Sequence, residues 1–142
     1  MSKRLPELYL FDILVAALKI QKVVAQFSNA QQLKYDFVSW DSVVREFEII
    51  GEAMKGLIAT GYASEKERAI VDFRNVLIHE YFGIDEEEVW GIAKEHLPNL
   101  ITKMREMIDG MDSDLRCELV DELMKENRHL PFVIEFLSSL EV

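Results

Sequence analysis

Apolar residues recur at helical spacing in two long stretches of the chain. In the first, steps of three and four residues predict a helix from about residue 8 to residue 27, with apolar positions at Leu10, Phe11, Leu14, Ala17, Leu18, Val24 and Phe27. In the second, steps of four and three alternate and form a narrow seam suited to bundle packing, at Val43, Phe47, Ile50, Met54 and Leu57. We expect this helix to end near Gly61, because glycine favours helix termination.

Two capping signals predict further helix starts. The stretches "SNAQ" at 28 to 31 and "SEKE" at 64 to 67 place a serine three residues before a glutamine or glutamate, which is capping-box spacing. The first is consistent with a short second helix. The second predicts a fourth helix that ends at Gly83, with an apolar face at Ile70, Phe73 and Leu77.

The remaining chain also has helical signals. Asp85 and the three glutamates after it predict the start of a fifth helix, which continues through Val89, Ile92, Leu97, Leu100 and Met104. Pro98 lies inside this pattern, so we expect a kink or a break there, at a cost of about 3 kcal/mol unless packing compensates. After a polar turn at 109 to 114, residues 115–125 and 132–140 predict two short helices, and Pro131 suits a first helical position.

These elements predict an all-α fold, a compact helical bundle of about five core helices with one or two short extra C-terminal helices. Six glycines and three prolines leave little material for turns, and the alternation typical of β-strands is hard to find. Because no repeat or long linker divides the chain, residues 1–142 are expected to form a single domain. Residues 112–142 would be its C-terminal helical appendage.

Cysteine content and charge narrow the cellular context. Cys117 is the only cysteine, so no internal disulfide can form and a cytoplasmic location is the simplest expectation. The apolar first segment is not expected to span a membrane, because Asp12, Lys19 and Lys22 interrupt it. The formal net charge of −10 opposes nonspecific attachment to nucleic acid. Any nucleic-acid chemistry must therefore be local.

Neither a cofactor nor a metal ion is expected from the motifs. No glycine-rich phosphate loop occurs. His96 has no histidine or cysteine at ligand spacing. The stretch "ENRH" at 126 to 129 has the Glu-x-x-His spacing of di-iron bundles, but those sites need two such motifs and this chain has one.

One stretch concentrates residues suited to chemistry. "RNVLIHEYFG", residues 74 to 83, holds an arginine, an asparagine, a histidine and a tyrosine within eight positions, although the chain has three histidines in all. Structural explanations exist. His79 could satisfy free carbonyls at a helix end. Arg74 could pair with Asp72 or Glu67, and the tyrosine could be a half-buried aromatic.

The spacing of these residues raises a geometric problem. On a continuous helix that turns about 100° per residue, Arg74 and Tyr81 share a face, whereas His79 points about 140° away from Arg74. One straight helix therefore cannot direct Arg74 and His79 at the same atom. A shared site requires either that the helix unwinds near His79 or that two copies of the segment meet across a dimer axis.

This stretch resembles the motif of HepT-like toxins in the HEPN superfamily (higher eukaryotes and prokaryotes nucleotide-binding domains). In that motif an arginine is followed by four residues, a histidine, one residue and a tyrosine. "REFEIIGEAMK" at 45 to 55 is similar to the family's segment one helix upstream, and "YFGIDEEEVWGIAKEHLPNL" at 81 to 100 to its segment downstream. The resemblance covers residues 8 to 108 with the motifs in the expected order. It does not extend to the residues after 111.

The resemblance implies a toxin ribonuclease that forms a homodimer in which two motif copies face one cleft. It also implies metal-independent cleavage, in which the 2′-hydroxyl of the RNA substrate attacks the adjacent phosphate. The residue types suit this reaction, because His79 can take or give a proton near neutral pH and Arg74 can donate paired hydrogen bonds to the phosphate. Asn75 could orient the substrate or simply face solvent.

The resemblance implies control by a second protein. In this family the motif tyrosine, here Tyr81, is modified with AMP by a cognate minimal nucleotidyltransferase antitoxin.

Arg45 and Glu52 belong to the matching upstream segment and lie seven residues apart on one helical face, where we expect a supporting role by pairing or packing. The alternative function is a noncatalytic helical binding subunit associated with a nucleotidyltransferase.

Overall fold

The computed structural model describes residues 5–140, and within this range the chain is helical without a β-strand. Residues 1–4 and 141–142 lie outside the described part, so the domain boundaries predicted at both ends are not addressed there. The helices are α1 (Pro6–Val24), α2 (Ala30–Tyr35), α3 (Phe37–Ala59), α4 (Arg68–His79), α5 (Glu86–Gly91), α6 (Leu97–Asp109), α7 (Ser113–Glu126) and α8 (Pro131–Ser138). The prediction of an all-α bundle is therefore confirmed.

The centre of the bundle is the long contact between α1 and α3. The seam predicted along α3 is fully buried, at Val43, Phe47, Ile50, Met54 and Leu57. Phe11 and Leu14 of α1 are equally inaccessible to solvent. Since burying one such side chain stabilises the fold by about 1.5–3 kcal/mol, this contact is a main source of stability.

Helix α4 packs on α3, and α6 packs on α1. Phe73 of α4 meets Phe47 of α3 edge to face, with ring centroids 5.3 Å apart. The face predicted for α4 is present, with Phe73 and Leu77 buried and Ile70 half-buried. The stretch of chain that carries the candidate chemistry is therefore held mainly by α3.

The first capping prediction identified the wrong residue. The side chain of Asn29, and not that of Ser28, accepts a hydrogen bond from the Gln32 backbone N–H, at 2.9 Å. The Ser28 N–H donates instead to the Gln32 side-chain oxygen at 2.9 Å. Asparagine caps helices at least as well as serine, so the helix starts one residue later than the pattern suggested.

The prediction that Gly83 ends the fourth helix is wrong. Helix α4 ends at His79, Glu80 has left the helical region with φ −123° and ψ 39°, and Tyr81–Gly83 form a separate 3-10 turn. The early end allows Ile84 to be buried and Asp85 to cap α5 by accepting a hydrogen bond from the Glu87 N–H at 2.9 Å. Burial of Ile84 and the cap on α5 both favour this earlier end.

The expected distortion at Pro98 takes the form of a widened turn. The chain stays helical from α5 into α6, and the two are joined by a π-helical turn at Ile92–His96, which ends two residues before the proline. Because proline has no N–H and its ring clashes with the carbonyl four residues earlier, a local change of hydrogen-bond pattern relieves the conflict. No break is needed.

The C-terminal helices form near their predicted positions. The Asp112 side chain caps α7 by accepting a hydrogen bond from the Leu115 N–H at 3.0 Å, and Pro131 is the first residue of α8 as predicted. Helix α8 packs against α1 and α7, and apolar residues of both helices join the common core, at Leu119, Val120, Leu123, Val133 and Leu137. In the described part, none of the helices has the length and apolar character to cross a membrane.

Candidate active site

A groove of about 320 Å³ lies beside the contact of α3 and α4. Its charged and apolar lining includes Asp12, Arg45, Glu48, Glu52, Arg74 and Ile78. This volume is at the small end of the range for ligand sites. The groove therefore joins Arg74 to the two upstream residues that the sequence singled out, Arg45 and Glu52.

Arg74 is held firmly on the wall of this groove. Its side chain is 24% exposed, and its guanidinium Nη2 lies 2.8 Å from a carboxylate oxygen of Glu52. Its Nη1 donates a hydrogen bond to the Asn75 side-chain oxygen at 2.9 Å. The alternative in which Arg74 pairs with Glu67 or Asp72 is not realised, and Glu67 instead accepts a hydrogen bond from Lys103. The main partner of Arg74 is Glu52 of α3. The spacing of residues along the sequence could not predict this pairing between two helices.

A glycine that the sequence reasoning missed makes this arrangement possible. A Cβ atom added at Gly51 would lie 2.2 Å from the Cβ and 2.7 Å from the Cγ of Arg74, and 3.2 Å from the carbonyl oxygen of Ile70. Helix α4 therefore approaches α3 so closely that only glycine fits opposite the stem of Arg74. The available signal was a glycine inside a long helical pattern, where it costs about 1 kcal/mol and usually has a packing reason.

Arg45 and Glu52 share the groove but have different contacts. Glu52 pairs directly with Arg74, whereas Arg45 is exposed and lies 3.5 Å from Glu48 one turn along α3. An exposed pair of this kind contributes little to stability. Arg45 is therefore an exposed positive charge at the groove, while Glu52 fixes the direction of Arg74.

His79 occupies a different surface of α4. It is the last residue of the helix and is exposed, and its ring makes no hydrogen bond within residues 5–140. It lies five positions after Arg74 on the helix, so the two side chains diverge by about 140°. The structure therefore does not bring Arg74 and His79 together within one chain. Asn75 is exposed beside Arg74 and does not line the groove.

The helical rotation used to place Tyr81 on the face of Arg74 does not apply, because α4 ends two residues earlier. Its backbone starts the 3-10 turn at Tyr81–Gly83. The side chain of Tyr81 lies outside the described part of the structure, so its exposure stays a prediction.

The groove is electrostatically mixed. Two arginines face the carboxylates of Asp12, Glu48 and Glu52, so its formal charge is slightly negative at neutral pH. A phosphate entering it would meet donors from the arginines but also repulsion from the carboxylates. In one chain alone, the carboxylates of the groove therefore oppose the binding of an anion by its arginines.

The sequence model of the family described as ribonuclease HepT-like matches residues 13–107. A Methanocaldococcus jannaschii protein with the provisional name RNase MJ1380 is 33% identical over 108 residues, which cover 70% of this chain and 94% of that protein. A second protein of that organism, provisionally RNase MJ0127, is 30% identical over 120 residues, covering 80% of this chain and 96% of its own length.

A third relative carries the name of the family. A Thermococcus cleftensis protein provisionally named ribonuclease HepT is 36% identical over 69 residues, which cover 46% of this chain and 63% of that protein. No solved structure matches the chain significantly. The family match spans α3, α4 and the motif between Arg74 and Tyr81, together with most of α1 and α6. The chain therefore belongs to the HepT-like ribonuclease family, as the resemblance of its motifs predicted.

Proposed function

We propose that this protein is the toxin ribonuclease of a toxin-antitoxin pair, and that it cleaves RNA in a cleft shared by two copies of the chain. The observation that carries the proposal is the divergence of Arg74 and His79. Arg74 is fixed in the α3–α4 groove by Glu52, whereas His79 is exposed on the outer surface of α4. A second copy can bring its own His79 to the arginine that one chain holds.

The surface around His79 suits such a contact. Val76 lies one helical turn before His79 and Ile78 lines the groove beside it, and both are apolar although they are 40% and 42% exposed. Apolar side chains next to an exposed histidine favour burial against another protein surface. Two facing copies would also place two Arg74 side chains near one phosphate, which doubles the hydrogen-bond donors available to its oxygens.

In the proposed reaction the 2′-hydroxyl oxygen of RNA attacks the adjacent phosphorus atom, and the bond from phosphorus to the 5′-oxygen breaks. His79 takes the hydroxyl proton or gives a proton to the leaving oxygen, and water makes the other of these two transfers. Arg74 donates hydrogen bonds to the phosphate oxygens as charge develops on them. The products are a 2′,3′-cyclic phosphate and a 5′-hydroxyl, and no metal ion is needed because the RNA supplies the nucleophile.

The proposed control is transfer of AMP to the hydroxyl of Tyr81 by a nucleotidyltransferase antitoxin. Each added AMP carries a phosphodiester charge and a nucleoside into the region next to His79, which opposes RNA binding by repulsion and by bulk. Coexpression with the cognate transferase should add AMP masses that map to Tyr81 and should inactivate the protein. A modified protein that still cleaves RNA normally would refute this control.

Subunit mixing tests the shared cleft directly. Arg74→Ala and His79→Ala homodimers should each be inactive, whereas a dimer that contains one chain of each kind should regain activity, because one intact Arg74 and one intact His79 meet in its cleft. Cleavage by the native protein should persist in a chelator and leave cyclic phosphate ends.

Three results would contradict the proposal. An inactive mixed dimer of folded chains would show that the two residues act within one chain. A monomer with full activity would exclude the shared cleft. Products with 5′-phosphate ends would indicate a metal-activated water instead of the 2′-hydroxyl.

A further inference from the structure

Four large apolar side chains are exposed at one end of the bundle. Tyr35, Phe37 and Val38 are 84%, 73% and 64% exposed, and Phe82 is 99% exposed. The first three lie where α2 meets α3, and Phe82 lies in the 3-10 turn before α5. We call these four residues the aromatic patch.

Two side-chain contacts bring both parts of the aromatic patch to the same end of the molecule. Lys34 Nζ at the end of α2 lies 3.1 Å from Glu86 Oε2 at the start of α5. One turn earlier, Gln31 Nε2 donates a hydrogen bond to Glu87 Oε1 at 2.8 Å. The start of α5 at Glu86 therefore contacts α2, and Phe82 lies four residues before this start.

The aromatic patch is as large as the largest apolar patches found on monomeric proteins. One aromatic side chain presents about 150–250 Å², so the three rings alone expose on the order of 500 Å². The largest apolar patch of a monomer is usually about 300–600 Å² and often functional. Exposed rings of tyrosine and phenylalanine also supply the buried anchors of protein complexes.

The charges around the aromatic patch determine what can cover it. The segments 34–41 and 80–88 contain seven carboxylates and one lysine, at Asp36, Asp41, Glu80, Asp85, Glu86, Glu87, Glu88 and Lys34. These two segments therefore carry −6 of the formal net charge of −10. A second copy of the same surface, an RNA backbone and an anionic membrane would all be repelled.

We propose that the aromatic patch docks a basic protein partner, which presents an apolar side chain ringed by lysine or arginine. The apolar anchor would bury the rings, and the surrounding cations would pair with the carboxylates. This surface lies outside the groove that holds Arg74, and the inference does not depend on RNA cleavage.

A pair of synthetic amphipathic helices tests the proposal with the full-length protein. Both probes carry leucine and tryptophan along one face, and the other face carries lysine in one probe and glutamate in the other. We expect the lysine probe to bind, as measured by fluorescence anisotropy, and the glutamate probe not to bind. The double variant Phe37→Ser/Phe82→Ser should weaken binding of the lysine probe about tenfold, because it removes two anchors.

Charge variants separate local from general attraction. Glu80→Lys/Glu88→Lys should weaken binding of the lysine probe about tenfold, since both side chains are exposed and belong to the acidic segment that contains Phe82. The matched control is Asp114→Lys/Glu126→Lys, which makes the same change in an exposed first turn and an exposed last turn of α7. This control should retain affinity within about twofold if the attraction is local.

The outcomes decide between the occupants. Equal weakening by the control pair would show that the probe senses only net charge and would overturn the proposal. Dissociation of a dimer by Phe37→Ser/Phe82→Ser, seen by light scattering, would identify the aromatic patch as a contact between copies. Loss of labelled-RNA binding in that variant, with peptide binding intact, would assign the aromatic patch to RNA. Either result would also overturn the proposal.

Discussion

Arg74 and His79 lie on the same helix but are positioned in opposite ways. Arg74 is packed by its stem against Gly51 and paired with Glu52, so α3 fixes both its position and its direction. His79 is exposed at the helix end without a hydrogen bond in the described part of the chain. In the proposed mechanism, a single chain would therefore preorganise the group that binds charge, and a second copy would complete the site around the proton-transfer group.

The largest expected effect separates catalysis from stability at these two residues. Arg74→Ala and His79→Ala should each lower RNA cleavage by about 10²–10⁴-fold if both act on the reacting phosphate. Only Arg74→Ala should also reduce the free energy of unfolding, by about 1–2 kcal/mol, because it removes a packed stem and leaves Glu52 unpaired. Cleavage assays and thermal denaturation of both variants measure the difference. Equal destabilisation would show that His79 has a packing role absent from this structure.

The next effect tests the close approach of the two helices. Gly51→Ala gains helix propensity of about 1 kcal/mol but forces a clash with Arg74, so we expect a net destabilisation of about 1–3 kcal/mol. Displacement of the guanidinium by about 1 Å should lower cleavage by as much as 10²-fold.

Gly91→Ala is the matched control for Gly51→Ala. Gly91 also has helical backbone angles, but a Cβ atom there would meet nothing within 4 Å. This variant should keep full activity and equal or greater stability. A Gly51→Ala protein that behaves like Gly91→Ala would show that α3 and α4 can separate without loss.

A smaller effect is expected from the ion pair itself. Because Glu52 is 60% exposed, its pair with Arg74 should contribute about 0.5–1 kcal/mol, and Glu52→Gln should lower kcat about two- to fivefold. Glu48→Gln removes a carboxylate from the same groove without touching Arg74, so it should affect KM alone. A fall in kcat of the same size in both variants would mean that groove charge, and not the direction of Arg74, controls the reaction.

The smallest effect concerns Glu46, a carboxylate of α3 positioned by burial rather than by pairing. Burial raises the pKa of Glu46 above its ordinary value, and the nearby charges of Lys19 and Arg45 oppose this shift only in part. The native state then favours the protonated form. This contribution to stability is present below the ordinary pKa and is lost as pH rises through the folded pKa.

Glu46→Gln should therefore raise the melting temperature slightly at pH 7, and the gain should shrink as the pH is lowered toward 4. Thermal denaturation across this pH range measures it. RNA cleavage should stay unchanged, because Glu46 does not line the groove. A gain that grows toward acidic pH would contradict the assigned cause of the shift.

Local patterns predicted the helices well where one side of a helix meets the core. The seam from Val43 to Leu57 was predictable because each residue needed only to be apolar and correctly spaced. The end of α4 was not, because Gly83 is a good local stop signal, whereas burial of Ile84 and capping by Asp85 favour an end at His79. The start of α2 shows the same limit for a single residue. Ser28 and Asn29 are both good capping residues, and the sequence did not decide between them.

The motif residues were identifiable from the sequence, but their relations were not. The spacing of Arg74 and His79 determined that one helix cannot aim both at one point, because the rotation per residue is a property of any α-helix. The pairing of Arg74 with Glu52 across 22 positions depends on how α3 and α4 cross. That crossing is possible because Gly51 has no side chain to clash with Arg74, a relation that residue spacing could not predict.

By itself, the sequence determined an all-α bundle, its buried seams and its family, and it singled out the candidate catalytic residues. These follow from local periodicity and from motifs of fixed order. Only the tertiary structure decided that Arg74 is held by Gly51 and Glu52 in a groove, that His79 is exposed at a helix end, and that Phe37 and Phe82 are exposed at the same end of the bundle. Each of these facts is a contact or an exposure set by segments far apart in the chain. Periodicity within one helix carries no information about such contacts.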